Sequence, residues 1–302
     1  MPQCLKDKIQ QALIQFPNQS LARTLWLLFS KQQFSAVLNK NHIIELCQQY
    51  KLTPITLNLQ LLPIAACYAT APISQFHVGA IVTSHQGDIY FGANQEFCGT
   101  NIQQTIHAEQ SAITHAWMRG VTQITDITIN YSPCGHCRQF LNELNKADQL
   151  AIHLPHQQNL SLQHYLPNAF GPQDLAITQR LLLPSLKSYK LPGQPQENPA
   201  ILTALQALNL SHSPYSQNCH SIVIETKDKQ YYMGSYAENA AFNPSLPALQ
   251  VALNHLLLQG KDFSQISKVY MLEKSTQISY RNMAEELLST VSTAKLHYLS
   301  IE

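Results

Sequence analysis

Charge is scarce in this chain. Of 302 residues, 12% are Asp, Glu, Lys or Arg, against roughly 25% in typical soluble proteins, and the net charge is +1. There is no Lys/Arg block and no basic stripe. Binding to a polyanion rests on neutralising phosphates with cations, so the composition argues against nucleic acid as partner. Long apolar runs are also lacking. The N-terminal "MPQCLKDKIQQALIQF" mixes charge with apolar residues at helical spacing, so no signal peptide is read there. The longest apolar runs, such as "LWLLF" at 25–29, fall far short of the roughly 20 residues that span a bilayer. The expectation is a cytoplasmic protein with no membrane partner. A disulfide framework is missing too: seven cysteines, at 4, 47, 67, 98, 134, 137 and 219, are odd in number and scattered. In a reducing compartment, a close pair among them reads as a metal site.

What is present is a core-forming composition, 45% hydrophobic, and length enough for about two domains. Residues 1–50 read as all-helical, with apolar positions at three and four spacing (Leu5, Ile9, Ala12, Leu13, Phe16) and with Ser20 and Asn41 as N-caps. Residues 54–70 suit a buried helix kinked at Pro63. From there "FHVGAIVTS" (76–84) and "DIYFGAN" (88–94) read as strands. Residues 105–119 read as helix, 124–131 as strand, 135–147 as helix and 149–155 as strand. That order predicts an α/β layered domain. Residues 167–200 are rich in Pro and Gly and read as a long connection.

After residue 200 the chain echoes itself. "APISQF" (71–76) matches "SPYSQN" (213–218), and "FGANQEF" (91–97) matches "MGSYAEN" (233–239) at the same offset. "HAEQSAITHAWMRG" (107–120) matches "PALQVALNHLLLQG" (247–260) at an offset shorter by two. This is a duplication of one unit. The second copy keeps the apolar scaffold but has Pro247 for His107 and Leu249 for Glu109, and at the place of "SPCGHC" (132–137) it reads "LEKSTQ" (272–277). The apolar scaffold is repeated while this polar chemistry is absent, which points to a functional role for those residues in the first copy and to the second as an inactive, fold-bearing partner.

Two cysteines in C-x-x-C at a helix start can grip one metal, because the helix N-terminus favours thiolate. With His107 from another helix start, Cys134 and Cys137 make three ligands. That is the catalytic zinc arrangement, one ion per chain, with the fourth position left to water. Glu109, two residues past His107, does not share its face and is placed for proton transfer. His136 points away from the metal. Asn94 and Glu96 alternate with Gln95 at a strand end, so both side chains face one way and suit a pair of sugar hydroxyls, which favours a nucleoside over a free base. The pattern H-x-E followed by P-C-x-x-C is the general signature of the zinc nucleobase deaminases.

On "QFHVGA" (75–80), "FGANQEF", "HAEQSAI", "PCGHCRQF" (133–140), "YLPNAFGP" (165–172) and "GSYAENAAFNP" (234–244), the chain resembles the bacterial cytidine deaminases of the larger, two-domain dimeric type, over nearly its whole length. The resemblance implies a duplicated α/β/α sandwich around a mixed five-stranded sheet, preceded by a small all-helical domain. It implies zinc on His107, Cys134 and Cys137, and Glu109 carrying a proton from the attacking water to N3 of a pyrimidine and then helping ammonia leave C4. It further implies that Asn94 and Glu96 hold the ribose 3′-hydroxyl, that Phe76 packs on the base, that Ala108 contacts the base through its backbone, and that Phe170 closes the pocket near a subunit boundary in a homodimer. The expected division is 1–50 helical, 51–170 catalytic, 171–200 linker and 201–302 degenerate. The expected reaction is deamination of cytidine and 2′-deoxycytidine in pyrimidine salvage. Two alternatives stay open: another cytosine-containing substrate (nucleotide, modified nucleoside or nucleic acid), or a non-enzymatic, zinc-stabilised binding protein.

Overall fold

The computed structural model describes residues 4–184, 187–191 and 198–302. Three helices open the chain: α1 (Leu5–Ile14), α2 (Gln19–Lys31) and α3 (Lys40–Tyr50). The caps differ from those expected. Asn18, not Ser20, caps α2, its side-chain oxygen accepting from the N–H groups of Ser20 and Leu21. Asn39, not Asn41, caps α3 by accepting from His42 N–H. In each case an extended residue two places earlier reaches the unpaired N–H groups first. Nor is this segment wholly helical. A two-residue strand, β1 (Val37–Leu38), pairs antiparallel with β3 (Ile89–Ala93). The α4 helix (Pro54–Ala66) starts with Pro54 in its first turn, capped by Thr53, and runs on through Pro63.

The first sheet comprises β2 (Gly79–Ser84), β3, β4 (Ile124–Ile129), β5 (Ala151–Leu154), β6 (Gln157–Ser161) and β1, in the order β1-β3-β2-β4-β5-β6. It is mixed, since β5 runs parallel to β4 and the other pairs are antiparallel. Six strands replace the expected five because β1, from the helical segment, adds to a five-stranded core. β6 leads into a short helix, α7 (Leu162–Tyr165); neither was expected. Alternation decides which layer each strand residue serves. Ile81, Ile89 and Phe91 face the core built by α1, α2, α3 and α4. Ala80, Val82 and Tyr90 face α5 (Ala108–Met118).

The second copy repeats the plan. α8 (Pro199–Leu210) precedes β7 (His220–Thr226), β8 (Tyr231–Ser235), α9 (Ala248–Leu258), β9 (Ile266–Lys274), α10 (Arg281–Val291) and β10 (Leu296–Ile301). Its described sheet has four strands, β10-β9-β7-β8, with β10 parallel to β9 as β5 is to β4. The registers coincide: Ala80 pairs with Gly92 and Ile129, and Ile222 pairs with Gly234 and Met271. Beyond the strands the copies diverge: Gly135 would correspond to residue 277 on that register, but α10 begins only at Arg281, and no cysteine lies between β9 and it.

The two copies meet through α5 and α9. Every residue of α5 is buried, because one side lies on the first sheet and the other on α9. Gly92 makes this possible: a Cβ there would lie 2.1 Å from Ala112 N, and one on Gly234 would lie 2.2 Å from Ala248 O. Within the expected linker, Leu181 packs on the first copy, donating its N–H to Glu143 O and accepting from Asn145 N–H. Tyr189 packs on the second, donating its N–H to Asn209 Oδ1. Residues 185–186 and 192–197 of that stretch lie outside the described residues.

Candidate active site

Two helix starts face each other. α5 begins at His107, its N-cap, and α6 (Gly135–Leu141) begins at Cys134, its N-cap, with Cys137 in its first turn. Cys134 Sγ lies 3.6 Å from Cys137 Sγ and 3.5 Å from His107 Nδ1. All three ligand atoms fall within 4.8 Å of one another, and this is the one such group of three among the described residues. Ligands at about 2.0–2.3 Å from a tetrahedral zinc stand roughly 3.5–3.8 Å apart, and the two pairs that Cys134 makes, at 3.6 and 3.5 Å, already have that spacing. His136 stacks on the His107 ring at 4.7 Å and stays outside the ligand group.

The electrostatics point the same way. The hydrogen bond from Cys137, joined by one from His107, pushes the Cys134 thiol down to about 3. Cys137 is correspondingly held well above the usual thiol range by that shared hydrogen bond and by burial. The two sulfurs are thus close enough to share a hydrogen bond, and a divalent cation between them takes both as thiolates. Glu109 is 5% exposed, and burial raises its carboxyl above the usual range. A carboxyl so raised is suited to giving and taking protons near neutrality.

Beside these groups lies a cleft of about 290 Å³, lined by Phe76, Asn94, Glu96, Ala108, Tyr131 and Ser74 together with His107, Glu109 and Cys134. Asn94 and Glu96 do face it, while buried Gln95 turns away to donate to Tyr68 O. Asn94 clips the start of β2: Oδ1 accepts from Val78 N–H at 2.9 Å and Nδ2 donates to Phe76 O at 2.9 Å. Each end keeps a further site for a ligand, a lone pair on Oδ1 and a proton on Nδ2. Burial raises the Glu96 carboxyl, but donation from Ser74 Oγ and from the N–H groups of Ser74 and Ile73 outweighs it and holds the group below its ordinary value. Phe170 does not line this cleft. Its ring is 49% exposed and its carbonyl accepts from Gln139 Nε2 at 2.8 Å.

Three contributors were missed from sequence. Tyr131 pairs with Phe76 at 4.6 Å between ring centroids; its place at the end of β4, just before the "SPCGHC" turn, was the available signal. Ser74 fastens Glu96 and also accepts from Phe76 N–H at 3.0 Å. Arg138 ties the cysteine loop to the end of α7, donating to Pro133 O at 2.7 Å and to Tyr165 O at 3.0 Å; nothing local marks that role. Among the remaining cysteines, Cys219 is buried as a small apolar residue would be, whereas Cys4 and Cys98 are exposed.

A duplicated mixed α/β fold, with a Cys/Cys/His set at two helix starts and a buried carboxyl beside it, defines the class of the zinc-dependent deaminases. The comparisons agree. Models of the cytidine and deoxycytidylate deaminase zinc-binding region match residues 57–153 and 162–285. The chain is 53% identical to a cytidine deaminase of Pasteurella multocida (strain Pm70), covering 98% of this chain and 100% of that protein. It is 51% identical to one of Histophilus somni (strain 2336), covering 98% and 97%. A solved cytidine deaminase of Burkholderia pseudomallei is 26% identical over 38% of this chain and 97% of that one, with a TM-score of 0.34. The chain belongs to the cytidine deaminase family.

Proposed function

We propose that this protein is a zinc enzyme that hydrolyses cytidine and 2′-deoxycytidine to the corresponding uridines and ammonia. The observation that carries the reading is the convergence of His107, Cys134 and Cys137 within 4.8 Å, with buried Glu109 in the same cleft. In this reading those three residues hold the zinc. Bound there, zinc supplies a Lewis acid that makes a water molecule nucleophilic near neutral pH.

The chain's own residues do the rest. Glu109 takes the first proton that the attacking water gives up at C4 and passes it to N3 of the pyrimidine; it then takes the second, from the new C4 hydroxyl, and delivers it to the amino group, which leaves as ammonia as the C4 carbonyl forms. Phe76 and Tyr131 flank the base, and the backbone of Ala108 at the α5 start is placed to bond its edge. Asn94 and Glu96 receive the ribose hydroxyls, and because their unpaired groups would go unsatisfied against a bare base, they select a nucleoside.

The same reading treats residues 1–50 as a helical domain, 51–170 as the catalytic unit, 171–200 as a linker and 201–302 as the degenerate unit. It also makes the protein a homodimer with the site near the subunit boundary. No helix among the described residues is long and apolar enough to cross a membrane. With all seven cysteines free, the reading places the protein in the reducing cytoplasm.

The test is cytidine turnover, followed as ammonia and uridine, by wild type and Glu109→Gln, with zinc measured on both. Activity in wild type and near-complete loss in the zinc-loaded variant is the expected result. A zinc-loaded wild type that ignores cytidine and deoxycytidine would overturn the substrate assignment and leave the metal site standing.

A further inference from the structure

The second copy carries no ligand set among the described residues, yet it grips both helices that bear the metal ligands of the first. Gln110, 1% exposed, is a bridge. Its Oε1 accepts from the N–H of His107 at 3.2 Å, and its Nε2 donates to Pro244 O of the second copy at 2.9 Å. On α6, whose first turn carries the two cysteines, Asn239, 0% exposed, donates from Nδ2 to Gln139 O, two residues past Cys137, at 2.9 Å. At the end of α6 the fully buried Glu143 carboxylate accepts from Ala240 N–H at 3.1 Å, His212 Nε2 at 2.8 Å and Tyr215 Oη at 2.7 Å. Pro244, Asn239 and Ala240 all sit on one loop between β8 and α9.

That loop is built to be rigid. Ala237 and Leu246 close its base as an antiparallel bridge. Asn239 N–H donates to Ser245 Oγ at 2.9 Å, and Asn239 Oδ1 accepts from Ala241 N–H at 3.0 Å. It is the duplicate of the loop that follows Glu96 in the first copy, so the inactive copy kept the frame of its binding loop and turned it against its neighbour.

The duplication itself supplies a comparison. Gln250 occupies in α9 the place of Gln110 in α5, and its Nε2 donates to Gln104 Oε1 of the first copy at 2.6 Å. Gln104 in turn occupies the place of Pro244. The interface is therefore reciprocal, each glutamine reaching the equivalent residue of the other copy's loop. The far ends differ. Gln110 goes on to hold the backbone of a ligand residue, whereas the equivalent N-cap in α9 is Pro247, which has no N–H to hold.

We propose that the loop of residues 237–246 positions the metal ligands of the first copy, with Gln110 and Asn239 as the positioning residues. The degenerate copy thus acts on the reaction and not on assembly alone. This rests on the zinc-deaminase reading above. Partners behind a ligand fix its orientation, and their loss typically costs about ten- to a hundredfold in metal affinity or activity.

The experiment compares full-length, zinc-loaded wild type with Gln110→Glu, Asn239→Ala and Gln250→Leu. The readouts are zinc release to a chromogenic chelator, kcat per bound zinc on cytidine, KM, and Tm. Gln110→Glu keeps an acceptor for His107 N–H and loses the donor to Pro244. The expected result is that Gln110→Glu and Asn239→Ala release zinc faster and lose kcat by about ten- to a hundredfold, with KM near wild type, while Gln250→Leu lowers Tm alone. Should Asn239→Ala not fold, Asn239→Asp takes its place, keeping the acceptor for Ala241 and losing the donor to Gln139. If Gln110→Glu and Asn239→Ala shift only Tm, or if Gln250→Leu speeds zinc release as much as they do, the contact is an ordinary interface and the proposal falls. If wild type leaves cytidine untouched, the function reading fails by itself, and zinc release still decides the positioning role.

Discussion

His115 and His255 meet across the contact of α5 with α9, ring centroids 6.4 Å apart, in equivalent surroundings. His115 Nδ1 donates to Phe91 O at 2.9 Å and meets the edge of Tyr90; His255 Nδ1 donates to Met233 O at 3.2 Å and meets Tyr232. Arg119 Nε donates to His115 Nε2 at 3.2 Å, so that nitrogen must stay unprotonated. Burial drives His115 well below the ordinary histidine value and His255 down to about 4. His220, stacked between Tyr236 and Tyr280 in the second copy, is pushed down to about 3 by burial.

The consequence is acid lability of the joined copies. A depressed histidine binds its proton more readily unfolded than folded. Stability is therefore complete above about pH 6.5 and drains as the pH falls toward the folded value. At pH 5, His220 alone contributes a loss of about 2 kcal/mol. Denaturant titrations at steps between pH 7 and 4.5 should show a falling midpoint starting near pH 6.5. A flat midpoint down to pH 5 would contradict the neutral, buried histidines.

Glycine at position 92 lets α5 seat on β3 at backbone distance. In Gly92→Ala the new methyl has only backbone to meet, so it cannot be relieved by a rotamer change. Overpacking of this kind costs about 1–3 kcal/mol or more, and here it lifts the helix that begins with His107 and carries Glu109. Gly92→Ala should thus lower both stability and kcat, whereas Gly234→Ala should lower stability comparably and kcat much less. Equal kcat losses in the two variants would show that the strain is not directed at α5.

Glu96 and Glu238 separate structure from recognition. Glu238, fully buried in the second copy, accepts from Tyr215 N–H at 2.8 Å and Ser216 N–H at 3.1 Å, much as Glu96 accepts from Ile73 and Ser74. Holding that turn is therefore common to both, and the open cleft beside Glu96 is not. Glu96→Gln should raise the KM for cytidine by about ten- to a hundredfold, the worth of a charge-assisted hydrogen bond. Glu238→Gln should lower Tm with KM unchanged. Steady-state kinetics on both variants decides it.

How much of this was legible beforehand follows from distance along the chain. His107 with Glu109, and Cys134 with Cys137, sit within one helical turn of each other, so spacing alone disclosed their chemistry. The duplication was readable because strand and helix faces preserve their apolar period. Ser74, Tyr131 and Arg138 act through partners that only the fold brings near, and a lone Ser, Tyr or Arg has no spacing to betray it. The caps were misplaced for a related reason: Asn18 and Ser20 are both competent caps, and the choice is made by which residue is extended. β1 was missed because two residues carry no period; β3 recruits them by offering its free edge.

The metal should stabilise as well as react. Cysteines bind zinc as thiolates, so loading releases protons and binding must weaken as the pH drops. At a thousandfold excess over Kd, a ligand that binds only the folded state adds about 4 kcal/mol, roughly 8 °C in Tm at about 2 °C per kcal/mol. Chelator treatment should therefore abolish turnover and lower Tm by that order, and added Zn²⁺ should restore both. Cys134→Ala should behave like the stripped protein and gain nothing from added zinc, while Glu109→Gln should keep the metal-dependent Tm and still fail to turn over. Were Glu109→Gln to lose the zinc-dependent rise in Tm, the carboxyl would be a ligand rather than a proton carrier, and its role beside His107 would have to be reassigned.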